Sequence, residues 1–171
     1  MKLSLCINAP EDTQGADDSD SNTTPEHKII SGAENISQVL EEYLSALYPD
    51  SKLYESAEIS LSFVSPEEIR ELNRDYRDTD EATDVLSFPL LGEETVEVPD
   101  LPVLALGDIV ICTEETARLH PELEIFDALC LMTAHSFLHL LGYDHDTEEE
   151  QNKMWALQEE IAAKIRGRLS E

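Results

Sequence analysis

Apolar positions recur along this chain with two different periods, and each change of period marks an element. KLSLCI at 2–7 alternates imperfectly and predicts a short strand. Apolar residues at 36, 39, 40, 43, 44 and 47 fall on one helical face over 36–47. Ile59, Leu61 and Phe63 alternate with serines, the pattern of a strand with one buried face. Ser65-Pro66-Glu67-Glu68 reads as a capping box with proline at the first helical position, opening a helix to about Tyr76. Residues 77–83 read as polar loop, DVLSF at 84–88 as a strand stopped by Pro89, and ALGDIVI at 105–111 as a buried strand. A short helix near 114–119 is broken by His120-Pro121, and an apolar helix spans roughly 123–141, ended by Gly142. Thr147 with Glu150 caps a last helix to about Arg168. The order β, α, β, α, β, β, α, α, α predicts an α+β fold, a small mixed sheet of about four strands with helices packed on it.

Two segments resist this reading. Residues 8–27 are rich in Asp, Ser, Thr, Asn and Pro with little to bury, and read as a flexible acidic insertion. Residues 90–102 read as an acidic loop with two prolines. The 171 residues fit one domain, 1–171, large enough to bury about two-thirds of the unfolded surface. No run approaches the roughly 20 apolar residues of a membrane span, and the first residues lack the apolar stretch of a signal peptide. The expectation is a cytoplasmic protein with no membrane partner. Cys6, Cys112 and Cys130 are odd in number and far apart, which predicts buried free thiols rather than a disulfide framework.

Charge complicates the choice of partner. Eleven basic residues against 38 acidic ones give a formal charge of −27. A polyanion would be repelled unless basic groups or a metal ion reverse the field locally. Arg70, Arg74 and Arg77, at helical spacing, with Arg118, are the candidates for such a strip.

The segment HSFLHLLGYDH at 135–145 carries the chemistry. His135 and His139 lie four residues apart, about 40° around a helix, so both rings project from one face. Gly142 allows a reversal that returns His145 toward them. Three imidazoles around one ion, with a fourth position open to water or substrate, describe a catalytic site for Zn²⁺, although other transition metals suit the same ligands. The metzincin proteases share this spacing, but they carry a glutamate base after the first histidine where this chain has Ser136.

HSFLHLLGYDH also resembles the H-G-x-L-H-L-x-G-Y-D-H signature of the YbeY family. YRDTDEATDVLSFP at 76–89 and LGDIVI at 106–111 resemble two further family stretches in the same order, so the resemblance covers about residues 55–165. It implies a single α+β domain and a metal-dependent endoribonuclease of ribosomal RNA maturation, preferring single strands and acting at the 16S 3′ end with the small ribosomal subunit as partner. It further implies that His135, His139 and His145 hold the metal and that Arg77 is the arginine needed for cleavage. Ser136 replaces the family's usual glycine; its hydroxyl could bond back to the helix backbone.

The attacking group is open at this stage: a water activated by the ion, or the ribose 2′-hydroxyl. Arg77 could bind a phosphate in bidentate fashion. Asp144 could orient an imidazole or cap the helix end, Asp84 and Asp108 suit turn or edge hydrogen bonding, His120 reads as a loop residue, and Tyr143 as packing or shaping the pocket. Two other functions compete. One is a metallopeptidase of metzincin-like spacing. The other is a non-catalytic ribosome-associated module whose zinc is structural, with Asp144 or Asp146 as fourth ligand.

Overall fold

The chain forms β1 (Lys2–Asn8), α1 (Pro25–Ser31), α2 (Ala33–Leu47), β2 (Ser56–Phe63), α3 (Pro66–Arg77), β3 (Val85–Pro89), β4 (Val103–Ile111), α4 (Thr113–Leu119), α5 (Ile125–Leu140) and α6 (Glu148–Leu169). These belong to a computed structural model that describes residues 1–9, 24–91 and 103–170. The four strands make one mixed sheet in the order β1-β2-β4-β3, in which β1, β2 and β4 run parallel and β3 pairs antiparallel with β4. The expected α+β architecture with about four strands is therefore present.

Local chemistry explains most boundaries. Both predicted capping boxes form: Ser65 and Thr147 each accept from the backbone of the glutamate three residues on, and each glutamate reaches back. The acidic insertion expected at 8–27 is shorter than its composition suggests at both ends. Asn8 completes β1, and Thr24 caps α1 by accepting from the His27 amide, with Pro25 opening the helix; the expectation for 10–23 lies outside the described residues, as does that for 92–102. The helix starting at Pro66 reaches Arg77 and stops at Asp78, whose φ of 54° is left-handed, so Arg77 belongs to a helix end rather than to the following loop. Cys112 and Cys130 are buried free thiols as expected; Cys6, on the polar side of β1, is exposed.

One face of the sheet meets α2 and α5, on which α6 packs in turn, and its Leu3, Leu5, Ile59, Leu61, Leu106 and Ile109 join one core with the helices. A smaller cluster of Ile69, Leu86, Val110 and Cys112 forms under α3. Strand β4 serves both, and a bulge makes this possible. Glu58 pairs with Ala105 but Ile59 pairs with Gly107, so Leu106 is the extra residue. It keeps Leu104 and Leu106 on the same core as Ile109 and Ile111, although the two pairs are out of phase for a regular strand. Gly107 takes φ 139°, and a Cβ there would lie 2.2 Å from the Phe88 carbonyl oxygen of β3. Glycine is required by both constraints.

Helix α5 is apolar on nearly every side and runs through the centre, with Leu129, Ala134, Phe137, Leu138 and Leu140 fully buried. Its C-terminal half carries His135 and His139, and His145 follows just beyond its end. No described helix is long and apolar enough to cross a membrane.

Candidate metal centre

The end of α5 is built to turn back on itself. The Gly142 amide bonds the His139 carbonyl at 3.0 Å and the Tyr143 amide bonds the Leu138 carbonyl at 3.0 Å. These two bonds form a Schellman motif, with Gly142 left-handed at φ 88°. The reversal does two things. It returns His145 toward the helix, and it sets the Tyr143 carbonyl oxygen 2.9 Å from His139 Nδ1.

His135, His139 and His145 converge, with one ligand nitrogen from each lying within 4.8 Å of the others. The closest pair, His135 Nε2 and His139 Nε2, is 3.0 Å apart. The His145 ring lies 6.0 Å from His135 and 5.2 Å from His139 between centroids. A tetrahedral ion with bonds of 2.0–2.1 Å places its ligand nitrogens ~3.3 Å apart, so this spacing fits a small divalent ion with little adjustment.

Proton positions make the fit stronger. A carbonyl oxygen only accepts, so the bond to Tyr143 puts the His139 proton on Nδ1. His135 Nδ1 faces Gln158 Oε1 at 2.9 Å, an acceptor again, so its proton is also on Nδ1. Both Nε2 lone pairs then point at each other with no hydrogen between them. Neutral rings in that arrangement repel, and a shared cation relieves the repulsion. Burial is the main force holding both pKa values below the ordinary histidine range, and the neighbouring imidazoles add to it, His145 for His135 and His135 for His139. The rings are thus kept in the unprotonated form that a metal requires.

Beside the histidines lies an open cavity of about 400 Å³. Val85, Leu86 and Pro89 give it an apolar wall, and Arg77 and Tyr143 line it as well. Arg77 Nη2 donates to the Ser87 carbonyl at 2.9 Å, which anchors the guanidinium to β3 beside the cavity. Among the described residues Arg77 forms no ion pair, whereas Arg70 bonds Asp80, Arg74 bonds Asp75 and Arg118 bonds Glu115. The expected basic strip of Arg70, Arg74, Arg77 and Arg118 is therefore mostly neutralised by adjacent acids, and Arg77 is the member that reaches the site.

Other expectations are revised by the geometry. Asp144 Oδ1 accepts from the His145 backbone amide, so it shapes the turn instead of orienting a ring. The side chain that does face one of the three histidine rings is Gln158 of α6, which the sequence reading did not single out. The available signal was a polar residue in register with Met154, Ile161 and Ile165, all buried. Ser136 is fully buried and its Oγ has no hydrogen-bond partner among the described residues, so the expected bond back to the helix is absent. Asp84 bonds locally, to the Val85 amide and the Thr83 hydroxyl, and it also meets His120 Nε2 at 2.9 Å. His120 is the loop residue expected after α4, and this contact ties it to the start of β3. Asp108 is exposed on the sheet surface away from the main core.

Comparison with known proteins places these features in context. The sequence profile of the family described as Endoribonuclease YbeY matches residues 21–166. The Endoribonuclease YbeY of Thermoanaerobacter pseudethanolicus is 41% identical over 140 residues, covering 77% of this chain and 88% of its own. That of Geobacillus kaustophilus is 48% identical over 118 residues, covering 65% of this chain and 74% of its own. The solution structure of TM1509 from Thermotoga maritima is similar with a TM-score of 0.54 and 25% identity, covering 96% of this chain and 89% of that one.

Proposed function

This chain belongs to the Endoribonuclease YbeY family, and from that premise we propose that it is a cytoplasmic, zinc-dependent endoribonuclease that matures ribosomal RNA. Its substrate is single-stranded precursor RNA at the 16S 3′ end, met on or near the small ribosomal subunit. His135, His139 and His145 hold the ion, and Arg77 binds the scissile phosphate. The observation that carries this reading is the pair of neutral imidazoles whose Nε2 atoms meet at 3.0 Å while both Nδ1 atoms are engaged elsewhere.

A divalent ion in that position supplies Lewis-acid polarisation of a phosphate oxygen and makes nearby water more acidic. The chain supplies the rest. Arg77 has donors to spare beyond the one bonded to Ser87, and two parallel N–H groups can take a phosphate in bidentate fashion. Its positive charge offsets the negative charge that grows on the phosphate oxygens as the P–O bond breaks. The apolar wall of Val85, Leu86 and Pro89 lowers the local dielectric and strengthens that interaction. Tyr143 positions His139 through its backbone and borders the cavity with its ring.

Two competing readings lose support. A metzincin-like peptidase needs a general base after the first histidine, and Ser136 there is buried, its hydroxyl without a hydrogen-bond partner among the described residues. A closed structural zinc site needs a fourth protein ligand. Among the described residues the converging group holds three histidines and no carboxylate.

Metal analysis of the purified protein beside a His139→Ala variant, with cleavage of a single-stranded ribosomal RNA precursor measured on both, tests the proposal. The parent is expected to hold about one zinc per chain and to cut; the variant is expected to lose both properties. Cleavage by a metal-free parent, or undiminished cleavage by the variant, would overturn it.

A further inference from the structure

Helix α6 lays a buried stripe against the rest of the fold, in which Met154, Ile161 and Ile165 are fully buried. Gln158 occupies the same stripe and is 9% exposed. A primary amide in such a row is unfavourable unless its polar atoms find partners. Its Oε1 finds one, His135 Nδ1, at 2.9 Å. Among the described residues this is the hydrogen bond of His135 Nδ1, and it reaches across from a different helix. His139 is set by its own helix end, through the Tyr143 carbonyl. The two rings are therefore oriented by independent means, one local and one supplied by tertiary packing of α6 on α5.

We propose that Gln158 is a positioning residue for the metal centre: by accepting the Nδ1 proton of His135, it fixes the ring's tautomer and angle so that Nε2 faces the ion. Without the acceptor, the His135 ring is free to rotate about χ2 or to shift its proton to Nε2, and either change withdraws a ligand atom. The apolar stripe on either side of Gln158 supports the amide's backbone and limits its own movement. This inference rests on the metal reading of the same site, and the two can fail separately.

The experiment measures Zn²⁺ affinity by competition with a chromophoric chelator for the parent, Gln158→Leu and Gln158→Glu, together with thermal unfolding of each metal-free protein. Leucine removes the acceptor and keeps an apolar side chain in the stripe. Glutamate keeps an acceptor oxygen at the same reach. The expected result is a 10–100-fold loss of Zn²⁺ affinity in the leucine variant, about the loss seen when such a supporting hydrogen bond is removed elsewhere. Most of that affinity should return in the glutamate variant, and metal-free leucine protein should unfold no earlier than the parent. Should the leucine variant fail to fold, Gln158→Met, which also lacks the acceptor, takes its place. Equal Zn²⁺ affinity in parent and leucine variant would overturn the proposal, as would equal loss in the leucine and glutamate variants. A parent that binds no Zn²⁺ would instead overturn the metal reading beneath it.

Discussion

Replacing Arg77 by lysine and by methionine separates its two contributions. In the folded protein its Nη2 donates to the Ser87 carbonyl, and the residue itself is exposed. Loss of one such bond at a screened surface costs less than about 1 kcal/mol of stability. Both variants should therefore fold and carry the parent's metal content. Catalysis is affected differently. Removing a donor aimed at developing charge costs about 3–4 kcal/mol in a closed site, or 10²–10³ in rate. The open cavity favours the lower end, about a hundredfold for methionine. Lysine restores a charge but not the planar fork, so it should recover only part of that loss. The assay is single-turnover cleavage of an end-labelled single-stranded RNA, with metal content measured on the same samples. Methionine protein that carries full metal and cleaves within about threefold of the parent would refute the argument, because no transition-state role would then remain for the guanidinium.

Three further outcomes test the structure around the site. Ser136→Ala removes a buried hydroxyl that has no partner among the described residues, so it should raise stability by about 1 kcal/mol in chemical denaturation and leave the parent's metal content unchanged. Gly107→Ala would drive a Cβ toward the Phe88 carbonyl in a backbone conformation that alanine avoids, costing about 3 kcal/mol or more, read as a lowered denaturation midpoint. The metal-free protein should lose stability as pH falls below the ordinary histidine value of 6.5. In that window unfolded His135 and His139 bind protons that the folded rings, with lowered pKa values, do not, so stability rises with pH. Thermal melts across that range check the sign, and a midpoint that climbs on acidification would contradict it.

How much of the site was legible from sequence follows from how local each signal is. The two-histidine helical pair, the glycine reversal and the third histidine lie within eleven consecutive residues, 135–145. Helix geometry and a Schellman turn convert that spacing directly into convergence. Both capping boxes and all four strands were readable for the same reason, since each depends on residues within a few positions of one another. Helix α1 was missed because it is short and presents few apolar residues, and its Thr24-Pro25 start lies at the edge of a strongly acidic run. The arginines were misjudged in a different way. Helical spacing places Arg70, Arg74 and Arg77 on one element, but which of them stays unpaired depends on where Asp75 and Asp80 fall.

The sequence by itself determined the converging histidine triad, the turn that closes it and the alternation that makes the sheet, because those are properties of neighbouring residues and of fixed backbone periods. Only the tertiary structure decided that Gln158, and not Asp144, bonds the His135 ring, that Ser136 is sealed with its hydroxyl unpartnered among the described residues, and that Arg77 lines the same cavity as the histidines. Those facts depend on how α6, β3 and α3 pack around α5. Packing is a cooperative choice among many apolar surfaces, and it brings together side chains whose separation along the chain carries no periodic trace.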